Sequence, residues 1–122
     1  MNKSQRGYLD NIEQETEENP NYRKVLFTAK YSQLVLMSLK PGEEIGSEVH
    51  EGHDQFFRIE SGEAEVIIGY ETHKAYAGDA IIIPSGIEHN VTNTSETEDL
   101  KLYTIYSPPE HADGLVQEKK TD

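Results

Sequence analysis

The sequence predicts a small all-β domain, and three observations support this fold class. Short runs of β-branched, aromatic and other apolar residues recur along the chain without the helical period of about 3.6 residues. Glycine, proline, serine and aspartate separate these runs at short intervals, as they do in turns. The length of 122 residues suits one domain with one hydrophobic core. Many short strands at regular spacing are typical of a sandwich or a barrel.

Three segments follow one another along the chain. Positions 1–22 are polar and acidic, and we interpret them as an N-terminal extension or arm; the run Glu13–Glu18 is most simply a solvated face or a frayed helical turn. The barrel is predicted over 23–107. Positions 108–122 form a C-terminal tail, because Pro108 and Pro109 lack the backbone donors of a central strand. The predicted strands are Val25–Phe27, Gln33–Leu39, Gln55–Ile59, Ala64–Ile68, Ala80–Ile83, His89–Asn93 and Leu100–Tyr106.

The alternation of side chains along a strand predicts which polar residues face the interior. In the strand after Gly52, Gln55 alternates with apolar residues, whereas Asp54 alternates with Arg58 and Glu60. Turning Asp54 inward would also bury those two charges, at a cost of several kcal/mol each unless they are paired. We therefore expect Gln55, and not Asp54, to face the interior.

The same parity argument applies to the segments on either side. Glu48 and His50 are two positions apart and should project together from one strand. His89 and Asn93 should share one face of a later strand, which follows the turn at Pro84. The sequence therefore predicts two groups of polar side chains that can meet in one site.

Composition excludes several classes of partner and cofactor. Eleven basic residues stand against 23 acidic ones, a net charge of −12, so nucleic acids and anionic membrane surfaces are poor partners. The chain has no cysteine, which leaves only nitrogen and oxygen ligands for a metal ion. No apolar run of about 18 residues and no signal-peptide pattern is present. We expect a soluble cytoplasmic protein.

Two motifs in this chain resemble those of the cupin superfamily. The second motif is complete, with the spacing and residue types of Gly78, Pro84, Gly86, His89 and Asn93. The first motif keeps the spacing but differs in chemistry: Glu48 and His50 stand where the family has two histidines, and Gln55 stands where it has a glutamate. The resemblance implies an antiparallel double-stranded β-helix, the cupin or jelly-roll barrel.

The resemblance also implies one divalent metal ion, held by Glu48, His50, Gln55 and His89. Two imidazoles and one carboxylate are the ligand set of non-haem iron oxygenases, so Fe(II) or Mn(II) is favoured, although zinc, nickel and copper accept the same ligands. The alternative is a metal-free pocket in which Glu48 and Gln55 only form hydrogen bonds. We favour the metal, because a glutamate beside His50 is costly to bury without a cation.

Three functions follow from the resemblance. The first is a metal-dependent dioxygenase or isomerase that acts on a small oxygenated metabolite. The second is a non-enzymatic module that binds or senses a small molecule. The third is a sugar or sugar-phosphate isomerase related to type II mannose-6-phosphate isomerase domains. The third is the weakest, because Arg58 is predicted to face outward and no inward basic residue is evident to hold a phosphate.

The remaining histidines and the surface allow further expectations. His53 is expected in an exposed loop and His73 in a solvent-facing hairpin, whereas His111 matters only if the tail closes over the barrel. Apolar residues occur on both faces of Gln33–Leu39 and Leu100–Tyr106, which predicts a homodimer. The acidic arm could add a strand to the partner's sheet.

Overall fold

A computed structural model describes residues 6–121 as an antiparallel barrel of two sheets, preceded by one short helix. The predicted fold class is therefore confirmed, and several strands match the expected ranges closely. The elements are α1 (Ile12–Glu18), β1 (Arg23–Thr28), β2 (Gln33–Leu39), β3 (Asp54–Ser61), β4 (Glu63–Ile68), β5 (Glu71–Tyr76), β6 (Ala80–Ile83), β7 (His89–Asn93), β8 (Leu100–Ser107) and β9 (Val116–Gln117).

The strands form a six-stranded sheet in the order β6-β3-β8-β2-β1-β9 and a three-stranded sheet in the order β5-β4-β7. Alternation places one face of each sheet inside. In β3, Gln55 is 3% exposed and alternates with the buried Phe57 and Ile59, while Asp54 is exposed. The parity argument for Gln55 is thus confirmed. The buried apolar core also includes Val35, Met37, Leu39, Val66, Ile83, Val91, Leu100, Leu102 and Tyr106.

The acidic run of the arm is a capped helix. Asn11 is the N-cap, and its side chain accepts a hydrogen bond from the backbone N–H of Gln14 at 3.0 Å. Glu13 and Glu15 lie in the first turn, where their negative charges interact favourably with the positive end of the helix dipole. Thr16 on the opposite side is buried, and α1 packs on β8, β3 and β2. The expected solvated face is present, but the segment is an ordered helix on the chain's own sheet and not a frayed turn.

Other differences from the sequence-based prediction concern weak strands. The sequence predicts a hairpin at His73 but no strand there, because most residues of β5 are polar; they are also exposed. β9 has two residues and depends on pairing with Arg23 and Lys24. Conversely, the segment that carries Glu48 was expected to be a regular strand, yet it makes only isolated bridges, Glu44 to Thr92 and Glu48 to His89.

Two glycines of the motifs have clear structural reasons. Gly62 has a φ of +99°, and a Cβ atom there would lie 2.8 Å from the carbonyl oxygen of Asp99, so a side chain is excluded both by backbone conformation and by space. Gly86 has a φ of +83° in the turn that leads to His89. Gly62 therefore forms the tight turn between β3 and β4, and Gly86 forms part of the turn that leads to His89.

The C-terminal tail folds back over the barrel. The side-chain amide of Gln33, itself buried, accepts hydrogen bonds from the backbone N–H groups of Glu110 (3.1 Å) and His111 (2.9 Å), and it donates to the carbonyl of His111 (2.7 Å). Further along, the N–H of Val25 donates to the carbonyl of Leu115 at 2.8 Å. The tail thus closes the end of the barrel near the polar residues of the motifs.

Candidate functional site

Glu48 and His89 lie opposite each other because their backbones pair. The N–H of each donates to the carbonyl of the other at 2.9 Å, which joins the first motif to β7. His50 follows on the same side of the chain as Glu48, and its Nε2 atom lies 2.7 Å from Oε2 of Glu48. The two residues of the Glu-x-His motif therefore project together, as their spacing predicts.

The contact between Glu48 and His50 is close but poorly aligned. Although Nε2 of His50 lies within ion-pair distance of the carboxylate, this buried atom has no hydrogen bond of acceptable geometry. For comparison with this distance of 2.7 Å, two neighbouring ligand atoms of an octahedral ion, each about 2.1 Å from the metal, lie about 3 Å from each other.

His89 is oriented for the same interior. Its Nδ1 atom lies 3.0 Å from the carbonyl oxygen of Ile87, so Nδ1 carries the proton and donates, which leaves the lone pair on Nε2. The ring centroids of His50 and His89 are 5.4 Å apart. The two imidazoles predicted as ligands therefore lie side by side.

Gln55 enters the interior from β3. Its Nε2 group donates to Oγ1 of Thr104 at 3.0 Å, while its buried Oε1 atom has no hydrogen-bond partner among the described residues. Asp54 points away and accepts a hydrogen bond from the backbone N–H of Ser85. Of these two neighbours, only Gln55 offers an oxygen to the interior.

The predicted ligands are brought near one another without forming a tight cluster. Within residues 6–121, no three histidine, aspartate or glutamate side chains converge in a group that could hold a metal ion. Glu48 and His50 are in contact and His89 is adjacent. Gln55 is the cross-strand partner of Tyr106, whose ring centroid is 5.6 Å from that of His50. Nε2 of His50 and Oε1 of Gln55, which have no hydrogen-bond partner among the described residues, are donor types that suit a divalent ion, but the four side chains do not converge on one point.

The tail adds residues that the sequence analysis did not assign to the site. Oε2 of Glu110 lies 3.7 Å from Nδ1 of His50, and its Oε1 lies 3.4 Å from Nε2 of His53. His53 also approaches the carbonyl of Pro109 at 3.1 Å. The expectation that His53 is an exposed loop residue is therefore wrong, because the returning tail covers it.

Tyr106 and His111 form a second pair beside His50. Nε2 of His111 lies 3.3 Å from the hydroxyl of Tyr106, and the two ring centroids are 5.1 Å apart. Tyr106 shares the inward parity of Thr104 and Leu102 on β8, a signal that could have identified it in the sequence. The position of His111 depends on the tail, whereas His73 remains on the solvent-facing hairpin as expected.

Burial determines the protonation of this pair. Burial, followed by the nearby charge of Glu48, raises the pKa of Tyr106 far above its usual value despite the opposing effect of Arg23. Burial and then the charge of Arg23 lower the pKa of His111 to about 4. At neutral pH the site therefore has a protonated phenol beside a neutral imidazole.

The prediction that no basic residue faces the interior is wrong. Arg58 does lie on the outer face and pairs with Glu60 at 3.4 Å, as expected. Arg23, however, is directly opposite the fully buried Met37 in the antiparallel pair of β1 and β2, and opposed residues share a face. Its proximity to the preceding polar segment made Arg23 resemble a surface residue in the sequence.

A cavity of about 340 Å³ lies elsewhere, between β5 and β6, and its lining includes His73, Lys74 and Ile82. None of the predicted ligands lines it. We therefore place the candidate site at the histidines, where polar donors converge, and not at this cavity.

Comparison with known proteins agrees with this arrangement of strands. Residues 35–106, which contain both motifs and most of the barrel, match the family described as Cupin domain. The chain belongs to the cupin family. The crystal structure of BH2720 from Bacillus halodurans is similar to this cupin with a TM-score of 0.90 and 42% identity, over 93% of this chain and 90% of that one.

Two curated relatives are similar in sequence to this cupin. Uncharacterized protein L612 of Acanthamoeba polyphaga mimivirus is 45% identical over 116 residues, which are 93% of this chain and 72% of the relative. Uncharacterized protein YrkC of Bacillus subtilis is 44% identical over 121 residues, 94% of this chain and 64% of the relative. The cupin thus spans less than two thirds of the length of YrkC. Between residues 6 and 121, no helix has the length and apolar character needed to cross a membrane.

Proposed function

We propose that this cupin binds one divalent metal ion through His50, His89 and Glu48, with Gln55 as a fourth ligand, and acts on a small oxygenated metabolite. The observation that carries this proposal is the pair of buried atoms without hydrogen bonds, Nε2 of His50 and Oε1 of Gln55, in one interior. Buried polar atoms are normally satisfied, so two that belong to the predicted ligands support a missing partner. Both are atom types that ligate a cation.

Fe(II) or Mn(II) is the proposed ion, although zinc, nickel and copper also accept these ligands. When bound, such an ion would polarise an oxygenated substrate or activate dioxygen, which corresponds to a dioxygenase- or isomerase-like reaction. His89 would bind through Nε2, because its Nδ1 atom is engaged by the carbonyl of Ile87. Glu110, which faces Nδ1 of His50, would orient that ring from the side opposite its Nε2 atom.

The chain's own residues can also handle protons at this site. Tyr106 keeps its proton at neutral pH and can donate a hydrogen bond to a ligand oxygen, while His111 is neutral and can accept a hydrogen bond. Glu48 and Glu110 are each about 30% exposed at their side chains, so the site is reached from solvent beside these two carboxylates. A small polar ligand could enter by this route.

The second candidate is a non-enzymatic cupin that binds or senses a small molecule. Two observations favour it: Gln55 already donates to Thr104, and no tight cluster of three acidic or histidine ligands is present in the described part of the chain. In that case the polar side chains would bind the ligand directly, and no metal would be required.

Metal content measured by mass spectrometry on untagged protein distinguishes these candidates. The wild type should carry about one divalent ion per chain, and His89→Ala should lose most of it. His73→Ala is the matched control, because His73 is on the exposed hairpin, and it should retain the metal. Asp54→Asn should also retain it, since that carboxylate points away from the site. Unchanged metal in His89→Ala contradicts the ligand assignment, and a metal-free wild type favours the binding module.

A further inference from the structure

Arg23 is a charged residue on the inner face of the barrel. It is directly opposite Met37, which is fully buried, and it precedes the core residue Val25 by two positions. A guanidinium group cannot lose its charge in a protein, so an inward arginine requires partners inside. The groups that contact Arg23 therefore show whether its charge is compensated within the chain.

The partners that the chain supplies to Arg23 are neutral. Its Nη1 group donates to Oε1 of Gln117 at 2.8 Å, and its Cζ atom lies 5.2 Å from the ring centroid of Tyr22. Its Nε group is buried and has no hydrogen-bond partner in the described part of the chain. No carboxylate forms an ion pair with Arg23 among residues 6–121. The cation is therefore held in place but not neutralised.

Arg23 also shares its interior with the candidate metal site. Met37, which is opposite Arg23, and Tyr106 are both buried residues on the inner face of the six-stranded sheet, so Arg23 faces the same interior as Tyr106. The charge of Arg23 also lowers the pKa of Tyr106 and of His111. Tyr106 is in turn adjacent to His50. The interior thus has a positive group on the β1 side and the carboxylates Glu48 and Glu110 on the side of the histidines.

We propose that Arg23 binds the oxyanion end of a small ligand whose other end carries an oxygen donor for the metal site. The ligand is a hydroxy acid or a phosphorylated alcohol, since carboxylate and phosphate both match the donors of a guanidinium group. The inference rests on the proposed function only for the end of the ligand that carries the oxygen donor for the metal. A neutral ligand could accept a hydrogen bond from Nε but would leave the charge of Arg23 without a counter-charge, which disfavours uncharged sugars.

Binding of four probes to the full-length protein tests this inference by calorimetry, after metal content has been measured. The probes are glycolate, 4-hydroxybutyrate, glycerol 3-phosphate and butane-1,4-diol, the last being the neutral counterpart of 4-hydroxybutyrate. At least one anion should bind, and the diol should bind about tenfold or more weakly. Binding of the carboxylates alone or of the phosphate alone assigns the oxyanion.

Three variants separate a specific role of Arg23 from a general loss of charge. Arg23→Gln should weaken binding of the anion about tenfold or more, and Arg23→Lys should give an intermediate loss because the planar fork is removed. Arg58→Gln is the control, since Arg58 is on the outer face of β3, and it should bind the anion like the wild type. If circular dichroism shows that Arg23→Gln does not fold, the test is the difference in anion binding between Arg23→Lys and the wild type.

Two results would overturn the inference: equal binding of the anion by Arg23→Gln and the wild type, or no preference for any anion over the diol in protein that holds its metal. The proposed function fails separately, if the wild type takes up no metal. Anion binding to metal-free protein that still depends on Arg23 would then support the oxyanion subsite on its own.

Discussion

Tyr106 and His111 show how burial changes the chemistry of single residues in this cupin. Both rings lie beside His50, and both are kept uncharged by removal from water. For His111 the charge of Arg23 acts in the same direction as burial, while Glu110 opposes it. The neutral imidazole is therefore a property of the folded state, and the unfolded chain would titrate normally.

This difference predicts a pH dependence of stability. The pKa of His111 is lowered from 6.5 to about 4 on folding, so between these values the unfolded state binds more protons and stability falls as the pH decreases. The contribution is complete above about pH 6.5. We expect His111→Asn to be less stable than the wild type at about pH 7.5 in urea unfolding, with a smaller difference at about pH 5.

Other groups titrate in the same range, so the informative quantity is the difference between variant and wild type at each pH. His73→Asn serves as the control, because His73 is exposed, and it should show no comparable change with pH. An equal difference for His111→Asn at both pH values would contradict the assignment of a neutral, buried His111.

At the scale of elements, one side chain joins the tail to the barrel. All hydrogen-bonding groups of the Gln33 amide are used: Nε2 donates to Thr28 and to the carbonyl of His111, and Oε1 accepts from Glu110 and His111. The tail is held by these bonds, by the short β9 pairing and by Leu115, which packs against the core. The closure of the site thus depends on a residue of β2.

We expect Gln33→Leu to release the tail without unfolding the barrel. The leucine fills similar space but leaves the backbone groups of residues 110 and 111 without partners, at a cost of about 1–3 kcal/mol for each group that stays buried. Hydrogen exchange should increase in residues 108–117 and remain slow in β3 and β8. A uniform increase across the barrel, or no change in the tail, would contradict this role of Gln33.

For the whole molecule, the two edges of the six-stranded sheet differ. β9 pairs with β1 at one edge, whereas β6 is the last strand at the other. Ile82 of β6 is 65% exposed, beside the cavity between β5 and β6. Residues 12–18, which were expected to supply a strand to a partner, are helical and pack on the chain's own sheet; positions 1–5 lie outside the described residues. An open apolar edge is a surface that proteins usually cover.

We propose that the cupin is a homodimer that pairs through the β6 edge. Sedimentation at tens of micromolar should show a dimer for the full chain and a weaker one for Ile82→Lys, because a lysine on an edge strand opposes strand pairing. Tyr70→Lys is the control, since Tyr70 is a fully exposed apolar residue at a turn. A monomeric full chain contradicts the dimer, and an unchanged dimer for Ile82→Lys contradicts the edge.

A version that starts at Asn21 tests the role of the arm separately. Because α1 covers part of β2, β3 and β8, its removal should lower the midpoint of urea unfolding. A truncated chain as stable as the full one would show that the helix does not stabilise the sheet. If the truncated chain is as stable as the full one but no longer forms the dimer, the arm contributes to the dimer interface, as the sequence predicts.

Local patterns in the sequence determined much of this protein. Strand alternation identified Gln55 and not Asp54 as the inward residue, and motif spacing brought Glu48, His50 and His89 to one end of the barrel. These features depend on the period of a strand and on turns only a few residues long, so neighbouring residues are sufficient to specify them.

Only the tertiary structure decided which distant residues complete the site. Gln33 and His111 are 78 positions apart, and no local pattern indicates that one holds the other. Arg23 becomes an interior cation because β1 pairs with β2 and β9 closes beside it, although its neighbours in the sequence are polar. Such contacts form because the folded chain satisfies buried donors and acceptors with whichever groups the topology brings near.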